Sequence, residues 1–153
     1  MMEFKTLRRI ALVASFCGFF FAADRMQAQA QTPAAASLTV KVTGIRNTTG
    51  NIRIVLRKDA NTTVEARHVE IDAKTLTAQA VFENLPAGDY AVVAIHDENM
   101  NGKLDFDPNG MPLEGYGHSN NPAKRMGPPP FDETKFTVAP PGTTIEIKLI
   151  YWP

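Results

Sequence analysis

Asp97, Asn99, Asn101 and Asp105 set oxygen-bearing side chains at the first, third, fifth and ninth positions of one run, Asp97-Glu98-Asn99-Met100-Asn101-Gly102-Lys103-Leu104-Asp105. That spacing suits a hard cation. Calcium takes about six to eight oxygens at roughly 2.3–2.6 Å, from a loop that bends around it. The backbone carbonyl of Lys103 adds an oxygen at the seventh position, and Gly102 permits the sharp turn at the sixth. The pattern matches the first nine positions of an EF-hand-type loop. It then departs: the twelfth position, where a bidentate Glu belongs, is Pro108, and no helix pair flanks the run. Asp107 and Glu114 are the nearest acids to close the shell. Hard oxygens favour calcium over zinc, and so few carboxylates imply modest affinity. The competing account is a solvated β-turn at Asn101-Gly102. Three spaced oxygens, a Gly and a further Asp exceed what a turn needs.

A second chemistry uses the two histidines that border this region. His96 and His118, with Asp97 and Glu114, could form a transition-metal or acid/base site for a hydrolase. The plainer account is a strand-end His bonded locally and a loop His in water. Ser119 lacks a recognisable nucleophile motif around it. Gly127-Pro128-Pro129-Pro130-Phe131 reads as a stiff return path into the next strand, with polyproline recognition as the alternative.

These residues fall in a stretch, 97–131, that shows no strand or helix period. Sixteen of its 35 residues are Gly, Pro or Asn. Unstructured connections beyond about 15 residues are uncommon in compact domains and are usually functional or disordered. Disorder fits poorly, because Leu104, Phe106, Met111, Leu113, Tyr116 and Phe131 would prefer burial. Around the stretch the pattern has period two. Leu38, Val40 and Val42 alternate with polar residues, as do Ile52, Ile54 and Leu56, and later Ile145, Ile147, Leu149 and Tyr151. Residues 76–83 and 89–96 supply two more strands, the second apolar enough to be central. Weaker strands are expected near His68–Ile71 and Phe136–Val138. Phe82, Leu85 and Tyr90 flank the Pro86–Gly88 turn and can plug the core. The expected fold is all-β, a single antiparallel sandwich of about seven strands with one long Gly/Pro/Asn-rich loop.

The N-terminus predicts export. Lys5, Arg8 and Arg9 precede fourteen uncharged residues, Ile10 to Ala23, and Ala28-Gln29-Ala30 offers a small-x-small cleavage site. Fourteen apolar residues are short for a bilayer core of ~30 Å, so residues 1–30 read as a signal peptide and not as an anchor. Cys17, the one cysteine, lies within it, which leaves no disulfide to the mature chain. A flexible lead-in over 31–36 and a domain over 37–153 follow. The first 30 residues hold four basic and two acidic groups, leaving 12 and 14 beyond them, a balance near −2. There is no basic stripe to grip nucleic acid.

The motifs H-D-E-N-x-N-G-K-L-D from His96, G-M-P-x-E-G-Y-G-x-S-N-N from Gly110 and G-P-P-x-F from Gly127 resemble the bacterial DUF2141 family, over roughly Leu38 to Tyr151. The resemblance implies export, a transthyretin- or immunoglobulin-like sandwich, and no established activity. The transthyretin-like hydrolase of 5-hydroxyisourate ends in Tyr-Arg-Gly-Ser. This chain ends Ile150-Tyr151-Trp152-Pro153, which argues against that reaction. The expected role is a non-enzymatic periplasmic or secreted module, its loop ordered by calcium, binding a glycan, a peptide or another envelope protein. No membrane span is expected after signal cleavage.

Overall fold

Alternating apolar residues send one face of each segment to a shared interior, and burial of that face sets the register between strands. The computed structural model describes residues 35–153. The expected signal peptide, 1–30, and residues 31–34 of the lead-in lie outside them. In chain order the strands are β1 (Ala36–Thr43), β2 (Asn51–Arg57), β3 (Thr63–Val69), β4 (Ala78–Leu85), β5 (Gly88–Asp97), β6 (Tyr116–His118), β7 (Phe136–Val138) and β8 (Gly142–Lys148). One helical turn, α1 (Phe131–Thr134), precedes β7. Ala36, expected in the lead-in, already pairs with Leu85.

One sheet runs β4-β1-β8, and the other runs β3-β2-β5-β6 with β7 also paired to β5. The all-β sandwich expected from sequence is therefore present, with eight described strands. One pair departs from the antiparallel expectation: β1 and β8 are parallel, with Val40 opposite Ile145 and Val42 opposite Ile147. A parallel neighbour needs a long crossover. Here the whole chain between the two strands provides it, and β8 arrives from the other sheet through the turn after β7.

The sequence-predicted inward faces are the observed ones. Leu38, Val40, Val42, Ile52, Ile54 and Leu56 are all closed to solvent in one core cluster. Phe82, Leu85 and Tyr90 plug one end of it, and the Tyr90 hydroxyl donates to the Pro86 carbonyl at 2.9 Å. β5 is central, as its apolar run predicts, and it is buried on both faces. Tyr90, Val92 and Ala94 face the core, while Ala91, Ile95 and Asp97 are also buried on the outer side.

The cover for that outer face is the stretch expected to be a long loop. It contains more order than its composition suggests. Phe106 and Pro112 form an isolated bridge, Tyr116–His118 form β6 against β5, and the chain then returns through α1. Gly115 and Gly117 let β6 lie close to the end of the chain. A Cβ on Gly115 would overlap the Tyr151 ring at 2.3 Å, and one on Gly117 would meet Ile147 at 2.7 Å.

The base of the excursion is seated on the β1–β2 connection through Gly50. Its φ is +72°, and a Cβ there would lie 2.1 Å from the Asp97 carbonyl oxygen and 2.6 Å from Glu98 Cα. Left-handed strain costs ~1–2 kcal/mol for a residue with a Cβ, and two backbones would have to separate as well. Gly50→Ala is expected to lower stability by more than about 2 kcal/mol, read as a lower urea midpoint; an unchanged midpoint would contradict this packing.

Candidate functional site

β5 ends at Asp97, whose side chain is fully buried. Its two oxygens accept the backbone N–H groups of Asn101 (2.9 Å) and Gly102 (2.7 Å), which folds the chain back on itself. Met100 and Gly102 take positive φ values of 59° and 76° in that turn. Asn99 and Asn101 each accept the N–H two residues on, at Asn101 (3.1 Å) and Lys103 (2.8 Å). Their amide NH2 groups converge on the Asp105 carboxylate, from Asn99 at 2.5 Å and from Asn101 at 2.9 and 3.0 Å. Asp97, Asn99, Asn101 and Asp105 thus share one turn, with the Lys103 backbone tied into it.

Glu114 and Asp107 have different parts. Glu114 is buried, and its carboxylate clamps both ends of the turn by accepting from the N–H of Glu98 (2.9 Å) and of Asp105 (3.2 Å). Asp107 belongs to the adjoining turn, where it accepts from the N–H groups of Met111 (2.8 Å) and Asn109 (2.9 Å). These bonds, Met111 first, hold its carboxyl below the usual value. Among the described residues no three His, Cys, Asp or Glu side chains gather as a metal-ligand set. The oxygens that do gather come from Asn as well as Asp.

The two histidines lie on opposite faces of one sheet. His96 pairs with Ile52 on the core side, whereas His118 pairs with Val93 on the outer side. His96 is closed to solvent and held at both nitrogens. Nε2 lies 2.8 Å from the Thr49 carbonyl, which can only accept, so Nε2 carries the proton; the Tyr151 hydroxyl then donates to Nδ1 at 2.8 Å. Burial pushes the Tyr151 phenol above its ordinary value, which keeps it a donor. Arg46 stacks on the Tyr151 ring at 4.7 Å and pairs with Glu98 at 2.6 Å, tying this network to the start of the excursion. His96, Asp97, Glu114 and His118 therefore do not meet as the acid/base group read from sequence. Ser119 is buried, accepting from Val92 N–H and donating to the Thr134 carbonyl at 2.5 Å, a fastening and not an exposed nucleophile.

Between the outer face of β5–β6 and the excursion lies an open cleft of ≈330 Å³. Val93 and Tyr116 form its floor, Leu104, Phe106 and Met126 one set of walls, and Trp152 another. Phe106 is 55% and Met126 63% exposed, too much apolar surface to be explained by the core. Arg57, His118 and Arg125 supply the polar edge. Trp152 is set by an Nε1–H bond to the Tyr116 hydroxyl (3.0 Å), and Lys124 lies 3.9 Å above its ring. A smaller cleft of ≈190 Å³ adjoins this one and shares Tyr116, His118 and Arg125 with it.

Sequence reasoning missed the cleft because its walls come from four separate segments. It also missed Asn120 and Asn121, which fasten the return path. Asn120 donates to the Glu133 and Lys135 carbonyls, and Asn121 pairs with the β8 backbone at Glu146 and Lys148. The Asn-Asn pair itself was the available signal, since Asn tolerates the positive φ that both residues adopt (63° and 46°).

Burial first, and then the Arg57 charge, push the His118 imidazole from 6.5 down to about 4. The unfolded chain takes up a proton between pH 6.5 and about 4 that the folded one refuses. Stability from this group is thus complete above pH 6.5 and lost as pH falls toward 4. His118→Gln is expected to flatten that part of the stability profile in urea titrations; identical pH dependence in both proteins would contradict the assignment. Tyr151→Phe strips the donor from buried His96 Nδ1 and is expected to cost about 1–3 kcal/mol. A urea midpoint equal to the parent protein's would show that His96 does not depend on Tyr151.

A family model described as "Uncharacterized protein conserved in bacteria (DUF2141)" matches residues 40–146. A search of curated proteins returns no match. The matched span runs from β1 into β8 and contains the whole excursion, with its Asp97 turn, its Glu114 clamp and most of the cleft walls. The chain belongs to the DUF2141 family of bacterial proteins.

Proposed function

We propose that the domain is an exported, non-enzymatic binding module that takes an apolar ligand between its outer sheet face and the excursion. The observation that carries this reading is the cleft, an apolar hollow on a rigid sheet with half-exposed Phe106 and Met126 at its walls. Most ligand sites are concave and mainly apolar, with a few polar groups to orient the ligand. At ≈330 Å³ the cleft suits a small molecule or one large side chain of an envelope or extracellular partner. Export rests on the charged-then-apolar N-terminal segment and its Ala28-Gln29-Ala30 site. No described helix is long and apolar enough to cross a membrane.

Calcium enters this reading as the brace of the excursion. Asp97, Asn99, Asn101, the Lys103 carbonyl and Asp105 are its ligands, with Glu114 acting as the clamp behind them. Convergence of both Asn amides on Asp105 supports it. Turning the amides presents their oxygens to a cation, at the cost of the one local N–H bond that each Oδ1 now accepts. This reading leaves Asp107 out of the ligand set and gives it the adjoining turn, where its carboxylate accepts the N–H groups of Asn109 and Met111.

Two measurements test these parts separately. A neutral naphthylamine dye is expected to bind with one saturable site, and Phe106→Glu or Met126→Glu to abolish it. Because both residues are exposed, the melting temperature should move by no more than about 2 °C. Dye fluorescence indifferent to both substitutions would remove the cleft from the account. For calcium, metal-stripped protein should melt several degrees higher, on the order of 5 °C, in millimolar calcium than in chelator. Coincident melting curves would remove the ion and leave the cleft.

A further inference from the structure

The polar edge of the cleft is one-signed. Neither cleft is lined by an Asp or a Glu, while Arg57, Lys124, Arg125 and Lys148 all reach their walls. The chain as a whole carries 16 basic and 16 acidic residues, so this separation of charge is local.

Lys124 and Lys148 line only the smaller cleft, Arg57 lines the larger, and Arg125 lines both. Arg125 is paired with Glu133 through contacts of 3.1 and 2.5 Å. Lys124 is held over Trp152 and bonded to the Tyr151 carbonyl at 3.0 Å. Arg57 differs. It ends β2 opposite Ala91, on the outer face, and one of its terminal nitrogens donates to the Ala60 carbonyl. Its Nε is buried with no hydrogen-bond partner. Asp59 is close in sequence, but its Oδ1 accepts from the N–H groups of Asn61 and Thr62 at 2.8 Å. Among the described residues no carboxylate forms an ion pair with Arg57. A guanidinium stays charged under all ordinary conditions and matches a carboxylate with two parallel N–H bonds.

Resting on the binding role proposed above, we infer that the cleft takes a small amphipathic carboxylate, its anionic group on Arg57 beside His118 and its apolar body along Val93, Leu104, Phe106, Met126 and Trp152. The hollow is at the lower end of the size range of small-ligand pockets, which favours a free acid over a folded partner. Neutral His118 adds one further N–H to the headgroup. A phosphate dianion fits less well, because one free guanidinium and apolar walls would leave its second charge unmatched.

Octanoate, 1-octanol and octylamine share one apolar body and differ only in charge. Each is titrated against the dye-loaded protein, with parallel NMR spectra of the His118 ring. Octanoate is expected to bind about tenfold or more tighter than octanol, and octylamine weaker than both, because a charge-assisted bond is stronger than a neutral one. In Arg57→Met the preference for the acid should vanish while octanol binding persists, and Arg57→Lys should restore part of it. Octanoate, and not octanol, should also raise the His118 titration midpoint, since a nearby anion favours the charged ring. This last readout uses the parent protein and survives if Arg57→Met does not fold. Equal affinities for acid and alcohol, tighter binding of the amine, or a preference that survives Arg57→Met would each overturn the carboxylate while leaving a binding cleft. Failure of all three to displace a bound dye would overturn it too. Failure of the dye itself to bind would instead strike at the binding role.

Discussion

The second face of β5 must be covered, and most of this structure follows from how the chain does it. A central strand with Ala91, Val93, Ile95 and Asp97 on its outer side cannot leave that side in water. No helix layer is available among the described residues, and the other sheet occupies the inner face. The chain therefore leaves β5 at Asp97, crosses its own outer face, and returns as β6. Exposed Phe106 and Met126 show that the cover is incomplete. What stays open between cover and sheet is the cleft.

Outside β6 the irregular cover has no ladder, so its backbone polar groups must be satisfied locally. Short acidic and amide side chains meet that need at each bend. Asp97 receives two N–H groups, Glu114 receives two more from opposite ends of the turn, and Asp107 and Ser119 repeat the device further along. On the core side, His96, Tyr151 and the Thr49 carbonyl tie the start of the excursion to the last residues of the chain. The functional surface thus depends on segments far apart in sequence, and each tie is polar and specific.

Much of the sandwich was legible from period-two alternation, because a half-buried strand leaves that mark in any sequence. Leu38, Val40, Val42, Ile52, Ile54 and Leu56 carried it. β6 was not legible: Tyr116-Gly117-His118 is too short for a period, and its glycine serves close approach to Ile147, as Gly115 just before it does to Tyr151. The parallel pairing of β1 with β8 was hidden as well, since alternation reports a face and says nothing of direction. The Asp97–Asp105 turn was visible through Asn and Gly spacing, and its four side chains do share one turn. The grouping of His96 with His118 failed on parity. Even-numbered residues of β5 face the core, and β6 pairs with it so that His118 faces out. Sequence proximity cannot report that difference. Trp152 and Arg57 gave no signal at all, because a wall built from both ends of a domain exists only after folding.

Native-state hydrogen exchange on the backbone amides of Glu98, Asn101, Gly102 and Asp105 tests the central claim most directly. These four N–H groups are accepted by Asp97 and Glu114, with a further bond from Asn101 to Asn99, and none belongs to a strand ladder. If the excursion is fastened over β5 as described, they exchange slowly, within about an order of magnitude of the β5 amides. Exchange at the rate of an unstructured chain would mean that the cover is not held, and that the cleft beneath it has no fixed wall.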